Sequence, residues 1–485
     1  MLGRRTLVLI MAGVLAGSAC TDAASSGADL AGATDGSGAA PRAACPPAEL
    51  EAVTAAVDRY LEAPASDQAL DLVAEVKRQR CIDDAPYLVD LIRMTGSSEV
   101  RTAAIDALAN LSGLEATADV NLAYVELGSW VLDQHPEPGP RYRDFKAAVY
   151  AAIDAPFGDL LRQVDELATL VAIQWGGVPV GGIVELNDPV RVPVGEAVWG
   201  DPDEIVYAVD VGHQTIGYPR RVIGRHELSN DQTVDPTTGM RIPFAVSYCS
   251  LCRIAVAFDR RVAGRELTFR TSGLLLNSNK VMVDTETGTM WQQATGEAFA
   301  GPLAGQRLEL LSARAVTFEE FSAEGGHPMV DLPAPFITDR ETGTFTAYAY
   351  TNAEPLPDYL AGGRLWFPVA AVGNEEDPLR PMATLVVGGQ ALAVDPSFLV
   401  HGATAVVTAG DRTVLVVGDR FGVRLFDITS LDSSEVDWIV ASAATEQPIV
   451  GDRGDGASVV ELVSRQEAWF SWLARHPDTQ RWPEV

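Results

Sequence analysis

Apolar residues recur every three or four positions through the first third of this chain, and from Trp175-Gly176-Gly177 onward that rhythm gives way to short β-rich runs. Leu50, Val53, Val57 and Leu61 share one helical face, as do Leu70, Val73 and Val76. Two further amphipathic runs, Tyr87 to Met94 and Val100 to Leu111, flank Thr95-Gly96-Ser97-Ser98, where Ser98 is the expected N-cap. Another helix is expected from Tyr142 to Ile153. Beyond Trp175, runs such as Ile205 to Val211, Phe244 to Tyr248, Ile254 to Phe258 and Glu266 to Phe269 are punctuated by Gly, Asp-Arg and Thr-Gly turns. One such change of period predicts an α+β protein, with a HEAT-like helical region at 45–172 followed by a β-rich, mainly antiparallel body.

The body contains an internal repeat. Val206-Tyr-Ala-Val-Asp-Val-Gly-His-Gln aligns with Met382-Ala-Thr-Leu-Val-Val-Gly-Gly-Gln, and Glu309-Leu-Leu-Ser with its following His-Pro segment aligns with Glu461-Leu-Val-Ser and its own His-Pro. The expected organisation is two duplicated lobes, 173–330 and 365–485, joined by a connector at 331–364. The second lobe has no cysteine and no His-Glu pair, so it reads as a degenerate structural partner and the chain carries one site.

The N-terminus reads as an export signal. Arg4 and Arg5 precede the apolar run from Leu7 to Leu15, and small residues lead to Cys20, the layout of a bacterial lipoprotein signal at 1–20 with Cys20 as the lipidated residue. The run is too short to span a bilayer. Residues 21–44 are almost all Ala, Gly, Ser, Thr and Asp and read as a flexible tether. The expected location is the outer face of the bacterial cell membrane, held there by the N-terminal lipid only. A net charge of −30 without a basic stripe argues against nucleic acid as a partner.

Five cysteines need accounting for. With Cys20 lipidated, four remain. Cys45 and Cys81 bracket the first helical hairpin and are expected to pair as a disulfide in an oxidising compartment. Cys249 and Cys252 form a Cys-x-x-Cys between two strands, a spacing that suits a disulfide, thiol exchange or two sulfurs on one metal ion. Around it stand His226-Glu227 upstream and a dense polar run downstream that includes Ser272, Asn277, Asp284, Trp291 and Gln292. No nucleotide-binding glycine loop, His-Glu-x-x-His, Gly-x-Ser-x-Gly or EF-hand loop is present.

The set Arg225-His226-Glu227, Tyr248-Cys249-Ser250-Leu251-Cys252, Phe258-Asp259-Arg260-Arg261, Ser272-Gly273-Leu274-Leu275, Asn277-Ser278, Asp284, Trp291-Gln292-Gln293 and Gly301-Pro302-Leu303-Ala304-Gly305 resembles domain-of-unknown-function family 3179, from about residue 85 onward. Against the family pattern, Ser250 stands where proline is usual and Arg253 where a small or amide residue is common. The resemblance implies no secure activity.

Three readings of the cysteine pair stay open. In the favoured one, His226, Cys249 and Cys252 hold copper(I), or zinc with Glu227 or Asp284 as a fourth ligand, either as a metal-binding protein or as a metalloenzyme on a small substrate with Glu227 as general base. In the second, the pair is a thiol–disulfide couple whose thiol is activated by Arg253 and His226. In the third, it is a structural disulfide in a noncatalytic cell-surface binding or scaffold module. Tyr248, Arg253, Ser272, Asn277, Asp284, Trp291 and Gln292 are the expected pocket residues. A small molecule or a metal is the expected ligand.

Overall fold

A computed structural model describes residues 47–483 apart from 198, 334–353, 372–376, 419–421, 444–460 and 463. Cys20 and Cys45, and with them the signal and tether, lie outside the described residues. Cys81 is fully buried and disulfide-bonded.

Eight helices run from Pro47–Glu62 to Leu167–Ala172. Their ends follow local chemistry. The hydroxyl of Ser97, one residue before the expected cap, accepts from the Val100 amide at 3.3 Å and opens helix Ser98–Ser112, which Gly113 closes at φ 75°. Asp119 caps Val120–Asp133 by accepting from the Asn121 and Leu122 amides at 2.9 and 3.3 Å. Inside this layer Asp90 accepts from Lys146 Nζ at 3.0 Å, Tyr142 Oη at 2.8 Å and Tyr150 Oη at 3.2 Å. The whole cluster is buried, and the pairing offsets the cost of taking a carboxylate and an ammonium out of water. No helix among the described residues is long and apolar enough to cross a membrane.

The last helix runs directly into the sheet strand Ile173–Trp175, which pairs antiparallel with Leu274–Leu276. Arg93 fastens this junction: its Nη2 donates to the Trp175 carbonyl at 3.1 Å, and its guanidinium lies 5.1 Å from the Trp175 ring and 5.2 Å from the Phe367 ring. Helices and sheet therefore share one apolar core, in which Leu274, Val281 and Met290 join residues from all the helical hairpins.

The body is built from five four- or five-stranded sheets, arranged like the blades of a propeller, plus a two-stranded ribbon. This corrects the expectation of two lobes. What the sequence repeat marks is a chain path taken twice. In the first pass the hairpin Ile205–Val211 and Gln214–Pro219 is followed by the meander Leu228–Val234, Arg241–Cys249, Ile254–Asp259. Leu310–Leu311 then joins the meander. Ala313–Thr317 returns beside the hairpin, and after helix Phe318–Glu324 the strand Pro328–Val330 runs parallel to Gln214–Pro219.

The second pass repeats this order with hairpin Pro381–Val387 and Gln390–Val394, meander Thr404–Ala409, Arg412–Gly418, Val423–Asp427, then Glu461–Leu462, Arg465–Ala468, helix Trp469–Leu473 and Gln480–Trp482. The strands Phe269–Leu276 to Glu297–Ala300, inserted between Asp259 and Leu310 in the first pass only, complete the fifth sheet. Neither pass is a separate lobe, because the two passes share backbone bonds and core. The Ala468 amide donates to the Cys252 carbonyl at 2.8 Å, and Phe470 and Cys252 lie in one apolar cluster.

Candidate functional site

Cys249 ends one strand and pairs in register with Ile254, which begins the next, so Ser250 to Arg253 form the turn of a hairpin. Arg253 sits at φ 56°, in the left-handed region that such a turn requires. Cys249 and Cys252 are joined as a disulfide, and the Cys252 amide donates to Cys249 Sγ at 3.3 Å.

The inserted sheet supplies the floor beneath the sulfurs. Asn279 Nδ2 donates to Cys252 Sγ at 3.2 Å and to Gln293 Oε1 at 3.3 Å, while Asn279 Oδ1 accepts from the Ala294 amide at 3.2 Å. Gln293 in turn donates to the Ser247 and Ile254 carbonyls at 3.1 and 3.3 Å, holding the cysteine hairpin on this sheet. Asn279 and Gln293 are buried and each spans two elements, so the position of the disulfide is set by a saturated network.

The His226-Glu227 pair approaches from the other side. Helix Arg220–His226 ends at Glu227, whose φ is 56° and whose amide bonds back to the Ile223 carbonyl at 2.7 Å. The left-handed cap turns the Glu227 side chain toward Lys280. Lys280 Nζ donates to the Glu227 carbonyl at 2.8 Å and lies 3.1 Å from its Oε2, and Ser250 Oγ donates to its Oε1 at 3.0 Å. Ser250 thus ties the Cys-x-x-Cys turn to the carboxylate. Lys280 is buried, and desolvation pushes its pKa below the ordinary lysine value against the opposing pull of Glu227. His226 is 2% exposed, and its Nδ1 lies 2.8 Å from the Val184 carbonyl. Burial holds its pKa below the usual histidine value, so the imidazole is neutral at pH 7.

A cavity of about 190 Å³ opens onto this arrangement, lined by Cys249, Ser250, Glu227 and Lys280 on its polar side and by Trp366 and Phe367 on the other. Cys249 is thus the cysteine that lines the cavity, whereas Cys252 is fully buried, with Asn279 Nδ2 donating to its Sγ and the Ser278 carbonyl oxygen 3.4 Å from it.

The remaining expected pocket residues disperse. Tyr248 is buried against Tyr207 at 5.5 Å between ring centroids, and Ser272 Oγ donates to the Val281 carbonyl at 2.6 Å. Asp284 ends the strand Asn279–Asp284, five residue steps and about 17 Å from the end that touches Cys252. There it accepts from Trp291 Nε1 at 2.9 Å and from the Thr287 hydroxyl at 2.8 Å, so it does not reach the sulfurs. Trp291 is a core residue packed edge-on against Phe269. Asn277 and Gln292 line a different, larger cavity. Among the described residues no group of three or more His, Cys, Asp or Glu side chains is assembled to hold a metal ion.

Sequence reasoning missed Lys280. Its signal is a lysine inside the otherwise apolar strand run Lys-Val-Met-Val, where a charge can be buried only if a partner awaits it.

No curated protein and no solved structure shows significant similarity to the chain. Residues 180–479 match the family described as "Protein of unknown function (DUF3179)", a span that takes in the His226-Glu227 cap, the cysteine hairpin, most of the inserted sheet and the second pass, and leaves the N-terminal helical region outside. The chain belongs to the DUF3179 family.

Proposed function

We propose that this is an exported protein, lipid-anchored through Cys20, whose Cys249–Cys252 pair cycles between disulfide and dithiol. The observation that supports this reading is the asymmetry of the two sulfurs: Cys249 lines the cavity, while Cys252 Sγ receives the Asn279 N–H at 3.2 Å. An incoming thiolate attacks Cys249 Sγ and forms a mixed disulfide with it. The Cys249–Cys252 bond breaks, and its electron pair leaves on Cys252 Sγ, where the amide donor stabilises the new thiolate. A second thiolate then attacks the incoming group's sulfur in the mixed disulfide. It carries that group away as an external disulfide and leaves Cys249 as a thiolate. Two external thiols supply the two electrons, and each cysteine takes a proton from solvent according to its pKa. The Lys280 ammonium beside the cavity favours entry of the anionic nucleophile.

The test is trapping with glutathione. In Cys252→Ser, Cys249 is expected to form a mixed disulfide visible by mass spectrometry, and in the wild-type chain the pair is expected to equilibrate with glutathione buffers. A pair that stays oxidised in the folded protein under excess dithiothreitol overturns the proposal and leaves a structural staple.

A second reading is metal binding by the reduced pair, with His226 as third ligand and copper(I) or zinc as the ion. It is favoured by the His226 contact: an imidazole that donates from Nδ1 to the Val184 carbonyl carries its lone pair on Nε2, as metal-bound histidines do. Elemental analysis of the reduced chain separates the readings. One equivalent of metal, lost in Cys252→Ser, supports this one, and no metal supports the redox couple.

A further inference from the structure

A second cavity lies between the inserted sheet and the second pass and encloses about 630 Å³, within the range of small-molecule sites. Three guanidinium groups line it, those of Arg307, Arg465 and Arg475, together with His476 and the indole of Trp472. Among the described residues Glu297 is the one carboxylate on its wall. That density of positive charge is unexpected in a chain of net charge −30.

The three arginines are not equally neutralised. Arg307 Nη2 pairs with Glu297 Oε1 at 3.1 Å, and Arg475 Nη2 pairs with the buried Glu467 Oε2 at 2.7 Å. Arg465 has no carboxylate within ion-pair distance among the described residues, and its Nη1 donates to the Ala294 carbonyl. Burial lowers its pKa, Glu467 opposes that as the largest charge effect, and the like charges of Arg475 and Arg307 add to the lowering. A partly buried guanidinium with one neutral acceptor keeps donors with which it can meet an anion.

Trp472 and His476 stack at 4.0 Å between ring centroids, and Leu385 and Leu462 add apolar wall, so the cavity offers an organic body a surface as well as a charge. We infer that this cavity is a binding site for a small organic polyanion, whose carboxylate or phosphate oxygens Arg465 holds with Arg307 at the rim, while the buried Arg475, committed to Glu467 and Ser471, adds only its place in the wall. The inference does not rest on the redox reading, since none of these residues touches the cysteine sulfurs.

Citrate and pyrophosphate are the probes, titrated calorimetrically into the full chain at an ionic strength held constant with sodium chloride. Saturable binding at one site is expected for at least one of them, and which one binds assigns the oxyanion. Arg465→Gln is expected to weaken that binding at least about tenfold. Arg307→Gln, at a position 59% exposed where folding is not at stake, is expected to weaken it about threefold or more. If neither probe binds above the sodium chloride background, the inference falls. It also falls if Arg307→Gln and a folded Arg465→Gln bind as the wild type does. If Arg465→Gln does not fold, Arg307→Gln alone decides between the two outcomes.

Discussion

Replacing Asn279 by alanine removes the side-chain donor that, among the described residues, faces Cys252 Sγ. In the disulfide this contact is a weak neutral interaction, whereas in the reduced protein it becomes a hydrogen bond to a thiolate. Hydrogen bonds to charged groups contribute about 1.5–3 kcal/mol. At 1.36 kcal/mol per tenfold change, Asn279→Ala should raise the Cys252 thiol pKa by about 1 to 2. Above both thiol pKa values the same free energy makes the reduction potential about 30–65 mV more negative.

The substitution also leaves the Ala294 amide without its acceptor and Gln293 Oε1 without its donor, costing about 1–3 kcal/mol of stability. That loss is common to the oxidised and reduced states, so it cancels in the potential and leaves the thiolate effect exposed. Asn279→Asp sharpens the comparison, because it keeps an acceptor for the Ala294 amide but sets a carboxylate beside the sulfur, and it should raise the pKa further than alanine does. The assays are thiolate absorbance against pH for the reduced chain and equilibration with glutathione buffers at alkaline pH. A folded Asn279→Ala whose thiol pKa stays within about 0.3 of the wild type refutes the reasoning.

Two further predictions concern stability. Because burial holds the His226 pKa below its unfolded value of about 6.5, the unfolded chain binds more protons between those two values. Stability should therefore be fully present above about pH 6.5 and fall as the pH drops through the window, with a slope of at most about 1.4 kcal/mol per pH unit. His226→Gln, which keeps a donor for the Val184 carbonyl, should flatten that part of the urea-midpoint profile, and an unchanged slope contradicts the assignment. Gly273 has φ +81°, and a Cβ there would lie 2.2 Å from the Val178 carbonyl oxygen. Gly273→Ala should cost at least about 2 kcal/mol in urea unfolding by straining this turn and displacing the Gly176 amide from the Gly273 carbonyl, and a near-neutral result contradicts it.

Much of the helical region was legible because helical period is a local signal: Val73 and Val76 face the core as their spacing predicts, with Leu70 packed partly buried against it. The cysteine hairpin was legible for a similar reason, since two β runs with five residues between them allow little besides a turn. The sheet count was not. Ile173–Trp175 pairs with a strand a hundred residues later, and Arg465–Ala468 with one about eighty residues earlier, and nothing local in two- to four-residue strands announces such partners. The polar run from Ser272 to Gln293 was read as one pocket wall. Sheet geometry spreads it instead along strands, so Asp284 and Asn279 face different surroundings although five positions separate them.

Period, turn chemistry and cysteine spacing are properties of neighbours along the chain, and from them followed the order of helices and strands, the repeat and the Cys-x-x-Cys turn. Which groups face the sulfurs was decided only in three dimensions. Asn279 and Gln293 reach Cys252 and its hairpin because an inserted sheet lies beneath them, and Glu227 meets Lys280 because a helix ends in a left-handed residue beside it. The difference has one physical origin. Local conformation responds to the sterics and hydrogen bonding of adjacent residues, whereas a buried polar group is tolerated only where distant parts of the chain bring it a partner.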